Sequence, residues 1–226
     1  MIKERVLSSI FVWRLSGVSY RTSVIATHGF YVPKEKYLEE TKNQMLPLLK
    51  YFNNIDRVLE FGCGIGGNLI GISDNIKEGL GIDINPLFIF QANKLKKMAG
   101  KKNIDFISYD GKKFPMMGKF NSIYSIGVFE RIPKNIVVSY IRSLKNYLYE
   151  NGRMMIYFLS ERAKGTIFTK RLGENAYVYW TRKEVEQLIK ELNLEIEDYF
   201  PWYSNFQAFE ADKSVADMCI VRKKNV

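Results

Sequence analysis

The chain has 226 residues, 46% of them hydrophobic, and its 34 Lys and Arg against 24 Asp and Glu give a formal net charge of +10. That apolar content excludes wholesale disorder, and no apolar run nears the roughly 18 residues that mark a membrane span. Two cysteines and one histidine leave no material for a disulfide framework or a zinc cluster, so a reduced, cytoplasmic, metal-free protein is expected.

The first element is a mixed apolar and basic stretch, Met1 to Tyr31, with no clean period. Val6 to Trp13 is apolar after a basic start, but Arg14 interrupts it and no small-residue cleavage pattern follows, so no export signal is expected. Residues 1–33 read as an N-terminal segment able to fold over a ligand, and 34–226 as the main domain. Pro33 is placed to open a helix carrying Tyr37, Leu38, Met45, Leu48, Leu49 and Phe52, which Pro47 must kink or end.

From Arg57 short apolar runs alternate with helical segments. Strands are predicted at Arg57–Phe61, Leu80–Ile84, Ile104–Ser108, Ser122–Ile126 and Arg153–Leu159. Asn85-Pro86 predicts a capped helix running to about Met98. A second helix from about Pro133 to Tyr149 is expected to stop at Asn151-Gly152. Thr181 with Glu184 forms a capping box before the apolar face Val185, Leu188, Ile189 and Leu192. Two last strands, near Leu194–Phe200 and Val215–Val221, are joined too closely for a crossover helix and predict an antiparallel pair at one sheet edge. The fold class is α/β, with a Rossmann-like, seven-stranded, mostly parallel sheet and helices on both faces.

Val58 to Ile72 reads VLEFGCGIGGNLIGI, a strand running into glycines and then a helix. Glycine is needed where the turn is tight and a ligand lies against backbone. Gly62, Gly64 and Gly67 also fit the dinucleotide pattern G-x-G-x-x-G, with Asp83 near the spacing of a ribose-binding acid. Three features oppose that reading. Glu60, at the strand's end, would repel a pyrophosphate and suits a cationic sulfonium ligand. The third strand also ends in an acid, Asp110-Gly111, and a helical segment precedes the first strand.

Over about Lys34 to Lys223 the chain resembles the class I S-adenosylmethionine-dependent methyltransferases. The resemblance rests on Glu60-Phe61-Gly62-Cys63-Gly64, on Asp83 and Asp110, and on Ser125-Ile126-Gly127-Val128-Phe129-Glu130-Arg131. It implies S-adenosyl-L-methionine as cofactor and S-adenosyl-L-homocysteine as product. It implies that Asp83 binds both ribose hydroxyls, Ile84 packs on the adenine, and Asp110 accepts from the adenine amino group with the Gly111 N–H nearby. Ile126 and Gly127 would line the methionine end. Two positions depart from the pattern: Arg131 stands where many small-molecule members carry histidine, and Asn121 where the family often has aspartate.

The implied chemistry is in-line methyl transfer, in which a base is needed only if the acceptor must lose a proton. His28 and Glu130 are the candidate bases. Ser160 to Trp180, with Arg162, Lys164, Lys170, Arg171, Tyr177, Tyr179 and Trp180, and the stretch holding Phe200, Trp202, Tyr203 and Phe206, are candidate acceptor linings. The sequence lacks the Pro-Pro-aromatic pattern of base-amino methylation and the Pro-Cys of cytosine carbon-5 chemistry, so a small-molecule acceptor is expected. An RNA- or protein-directed enzyme, and a cofactor-binding protein without turnover, stand as alternatives. The net charge of +10 suits a nucleic-acid partner, yet the basic runs Lys94–Lys102 and Arg222–Lys224 do not alternate with aromatics.

Overall fold

The computed structural model describes residues 16–28, 31–165, 177–202 and 215–223, without the side chain of His28. Its elements are α1 (Tyr20–His28), α2 (Lys34–Met45), β1 (Arg57–Phe61), α3 (Gly67–Ile72), β2 (Glu78–Asp83), α4 (Pro86–Met98), β3 (Ile104–Ser108), β4 (Phe120–Ser125), α5 (Lys134–Lys145), β5 (Leu148–Leu159), α6 (Arg182–Glu191), β6 (Leu194–Trp202) and β7 (Ala216–Lys223). The seven strands form one sheet in the order β3-β2-β1-β4-β5-β7-β6. The β2/β3, β1/β4 and β4/β5 ladders are parallel, and β7 runs antiparallel to both its neighbours.

Residue chemistry explains these assignments. Met154 through Leu159 of β5 are all buried, the continuous apolar run of a strand covered on both faces. The outermost strand β6 is only partly covered and carries Pro201, which an edge strand tolerates. The Asn85 side chain accepts the Leu87 N–H at 3.0 Å with Pro86 in the first turn of α4. At α6 both bonds of the Thr181–Glu184 capping box are present, and Val185, Leu188 and Ile189 are buried.

Several expectations need correction. Asn151-Gly152 does not stop a helix: α5 ends at Lys145, and both residues lie inside β5. The β4/β5 register moves from Phe120↔Leu148 to Ser122↔Arg153, so β5 carries extra residues there. A Cβ on Gly152 would lie 3.0 Å from the carbonyl oxygens of Asn121 and Tyr149, so the glycine serves that excursion. The strand expected at Leu80–Ile84 is Glu78–Asp83, which leaves Ile84 beyond its end. Within the aperiodic Met1–Tyr31 stretch, Tyr20–His28 is helical. Pro47 does end α2, and a 3-10 turn follows from Leu46 to Tyr51.

By contacts the chain divides into two units. One comprises the described part of Met1–Ile55 with Gly62–Met116, its core including Val24, Tyr37, Met45, Leu69, Ile82, Leu95 and Phe106. The other comprises Asp56–Phe61 with the described part of Met117–Val226, centred on Leu59, Phe120, Tyr124, Phe129, Phe158 and Val221.

Candidate functional site

In the first unit, the glycine loop is folded around the end of β2. The N–H groups of Gly62 and Cys63 both donate to the Ile82 carbonyl, at 2.8 and 3.0 Å. Gly64 has φ +53 and Gly66 φ +81, both in the left-handed region that favours glycine. A side chain at Gly66 would also strike the Phe106 ring at 2.5 Å. The buried Cys63 fills space beside Gly81, where an added Cβ would lie 2.9 Å from its own.

Asp83 ties this loop to the start of α4. Its Oδ2 accepts the Gly64 N–H at 2.9 Å, and its Oδ1 accepts the Asn85 N–H at 2.8 Å. Burial pushes its carboxyl above the ordinary value, and the N–H donors of Asn85, Gly64 and Ile84 partly offset this. A carboxylate has about four lone-pair sites, so one N–H on each oxygen leaves capacity to accept a cis-diol. Ile84 is 41% exposed, with its apolar surface available for a flat partner. Asp110 and Gly111 occupy an exposed loop after β3. Asp110 Oδ1 accepts from the N–H groups of Lys112 and Lys113 at 2.8 and 3.0 Å. Led by Lys113, these bonds hold its carboxyl below the ordinary range.

In the second unit, Glu60 is 1% exposed and pairs with Tyr124 in the β1/β4 register. Beyond β4, Ile126 is half-buried, Gly127 turns the chain at φ +73, and a 3-10 turn follows at Phe129–Arg131. Glu130 is 5% exposed, and its Oε2 has no hydrogen-bond partner among the described residues. Burial raises its carboxyl, an effect that the neighbouring Arg131 charge only partly offsets. A Cβ at Gly127 would lie 3.8 Å from Glu130 Oε1.

The acceptor-lining candidates around Tyr177 meet this turn. The Val178 N–H donates to the Glu130 carbonyl at 2.8 Å, and Ser160 and Trp180 form a parallel bridge. The Arg131 guanidinium lies 4.1 Å from the Tyr177 ring centroid and donates to its hydroxyl at 3.1 Å. Tyr157 is buried, and its phenol is pushed up first by burial and then by the Glu130 charge. Tyr157 escaped notice in the sequence because it sits within an apolar strand, where an inward tyrosine reads as core. Arg162 donates to the buried Asp217 at 2.7 Å, and the Tyr199 hydroxyl donates to the same carboxylate at 3.2 Å. Phe200 and Trp202 are residues of β6. The His28 side chain, Lys170, Arg171, Tyr203 and Phe206 lie outside the described residues.

Residues 33–199 match the family model described as a methyltransferase domain. The chain belongs to the S-adenosylmethionine-dependent methyltransferases. Among curated methyltransferase relatives, the tRNA U34 carboxymethyltransferase of Shewanella halifaxensis is 25% identical over 175 residues, covering 75% of this chain and 52% of the relative. The corresponding protein of Aeromonas hydrophila is 24% identical over 139 residues, covering 61% and 42%. The chain thus spans about half the length of the curated relatives it matches. In fold it is similar to an S-adenosylmethionine-dependent methyltransferase from Clostridium acetobutylicum (TM-score 0.62, 15% identity, 86% of this chain and 93% of that one). It is also similar to magnesium protoporphyrin IX methyltransferase from Synechocystis, solved with bound S-adenosylhomocysteine (TM-score 0.62, 13% identity, 96% and 95%). S-adenosylmethionine is the cofactor of this methyltransferase family. No helix among the described residues is long and apolar enough to cross a membrane.

Proposed function

We propose that this methyltransferase acts on a small acceptor that must lose a proton, with Glu130 as the group that takes it. The observation carrying this reading is the buried Glu130 carboxylate, whose Oε2 meets no donor among the described residues. A carboxylate kept from water is a stronger base than a solvated one, which suits abstraction from an oxygen or nitrogen nucleophile. Arg131 and Tyr177 beside it supply a cationic and aromatic wall. In the first unit, Asp83 is assigned to the ribose hydroxyls, Ile84 to the adenine face, and Asp110 with Gly111 to the adenine edge. Glu60, Ile126 and Gly127 are assigned to the methionine end, with backbone from Gly62, Cys63 and Gly64 along the ligand. S-adenosylmethionine supplies the activated methyl group and departs as S-adenosylhomocysteine.

A transfer-RNA acceptor is the second reading, favoured by the carboxymethyltransferase relatives and the net charge of +10. Against it, part of each dense basic run is paired with acids. Lys96 pairs with Asp105 and Lys101 with Asp74, both at 2.6 Å, while Arg222 pairs with Glu197 and Lys223 with Glu150. The test is an acceptor screen by mass gain of one methyl group, run in parallel on metabolite fractions and on tRNA. Small products from wild type, with kcat/KM for Glu130→Gln lower by about 10²–10⁴, support the proposal. Methylation of tRNA alone, or full activity in Glu130→Gln, overturns it.

A further inference from the structure

We propose that α1 is a wall of the cofactor site, seated over the glycine loop, with Thr27 facing the ligand and Gly17 as its anchor. The proposal rests on the assignment of the cofactor to the Gly62–Gly64 loop and Asp83, and all of its contacts lie within the first unit. Positions 20, 23, 24 and 27 form one stripe of this helix, since residues three and four apart share a face. Ser23 and Val24 are wholly buried. Thr27, on the same stripe, is exposed. Its hydroxyl donates back to the Ser23 carbonyl at 3.0 Å, which leaves the methyl as its outer surface. That methyl lies 3.6 Å from where a Cβ on Gly64 would stand. The inward stripe therefore parts from the body of the unit beside the residue whose N–H is held by Asp83.

The helix is fixed at this spot from both sides. At its entry, a Cβ on Gly17 would meet Leu87 Cβ at 2.3 Å and the Leu87 carbonyl carbon at 3.0 Å. Backbone thus packs directly on the first turn of α4, two positions after Asn85. Along its length, Tyr20 donates to the Val32 carbonyl at 2.7 Å and packs edge-on against Tyr37 at 6.2 Å. Tyr37 in turn fills the space where Gly67, the first residue of α3, lacks a side chain. Both helices that begin at the candidate ligand loops therefore support α1. A wall so placed excludes water from a bound nucleoside and slows its departure.

Three measurements with S-adenosylhomocysteine test this. Thr27→Trp, a substitution at an exposed position, should weaken binding by more than about tenfold with an unchanged Tm. Gly17→Val should raise the dissociation rate more than it lowers the association rate. In the unmodified protein, amide hydrogen exchange within residues 20–28 should slow on binding. Asp83→Asn is the control. Affinity lost in Asp83→Asn but kept in Thr27→Trp, with no change in exchange across α1, places the ligand on the loop and away from α1 and overturns the proposal. Unchanged affinity in Asp83→Asn removes the loop assignment and this proposal together.

Discussion

Replacing Asp83 by Asn keeps the side chain's shape but converts one acceptor oxygen into a donor and removes the charge. In the folded chain the two oxygens already receive the N–H groups of Gly64 and Asn85, at 2.9 and 2.8 Å. The variant must therefore set its NH₂ against one of these donors or against the ligand. A hydrogen bond to a charged group contributes about 1.5–3 kcal/mol, so the loss at a ribose diol corresponds to a Kd for S-adenosylhomocysteine weaker by roughly 10- to 150-fold. Tm is a poor reporter here, since removing a buried charge stabilises while opposing two donors destabilises. Calorimetric titration at neutral pH reads the effect directly, with circular dichroism to verify the fold. A folded variant whose Kd stays within about threefold of wild type would refute the ribose assignment.

Acidification should weaken cofactor binding before the ordinary aspartate range near 3.9 is reached, because burial raises the Asp83 carboxyl and the ligand needs its charged form. A wild-type affinity flat down to that range contradicts this reasoning. Glu130→Gln should raise Tm by a few degrees at neutral pH. Burial lifts the folded-state pKa of Glu130 above its unfolded value, so the folded chain holds the extra proton and stability declines as pH rises between the two values. The gain should vanish well below the ordinary glutamate range, and an equal gain at every pH in thermal scans would exclude a charge effect. Gly81→Ala would place a methyl 2.5 Å from the Phe106 ring and 2.9 Å from Cys63 Cβ. Such overpacking costs about 1–3 kcal/mol, a fall in Tm of roughly 2–12 °C; a Tm within error of wild type would show that the loop shifts freely.

The strand-to-helix order was legible because each βα unit carries its own punctuation. Asn85-Pro86 and the Thr181–Glu184 box set helix starts that the structure reproduces. The glycine loop was legible for a related reason: consecutive glycines between an apolar strand and a helix have few other uses. Long-range partnerships were not. Tyr157 reads as one apolar-strand residue among many, and only the fold brings its phenol under the influence of Glu130. Asn151-Gly152 misled because an Asn-Gly pair after a helical run serves equally as a left-handed stop and as a bulge. The register of β4 against β5, invisible in local sequence, decides between them. The helix α1 stayed hidden because its buried stripe holds Ser23 and Val24 but no large aliphatic run.

The Ser160–Trp180 bridge, with the Trp180 N–H on the Leu159 carbonyl at 2.8 Å, holds both ends of the intervening stretch at the tip of β5. Lengthening a loop whose ends are already joined costs little, since closure entropy grows only logarithmically with length. Changes of length between Gly165 and Tyr177 should therefore cost the sheet beneath little, provided that the bonds of Tyr177 and Val178 to the Arg131 and Glu130 turn are kept.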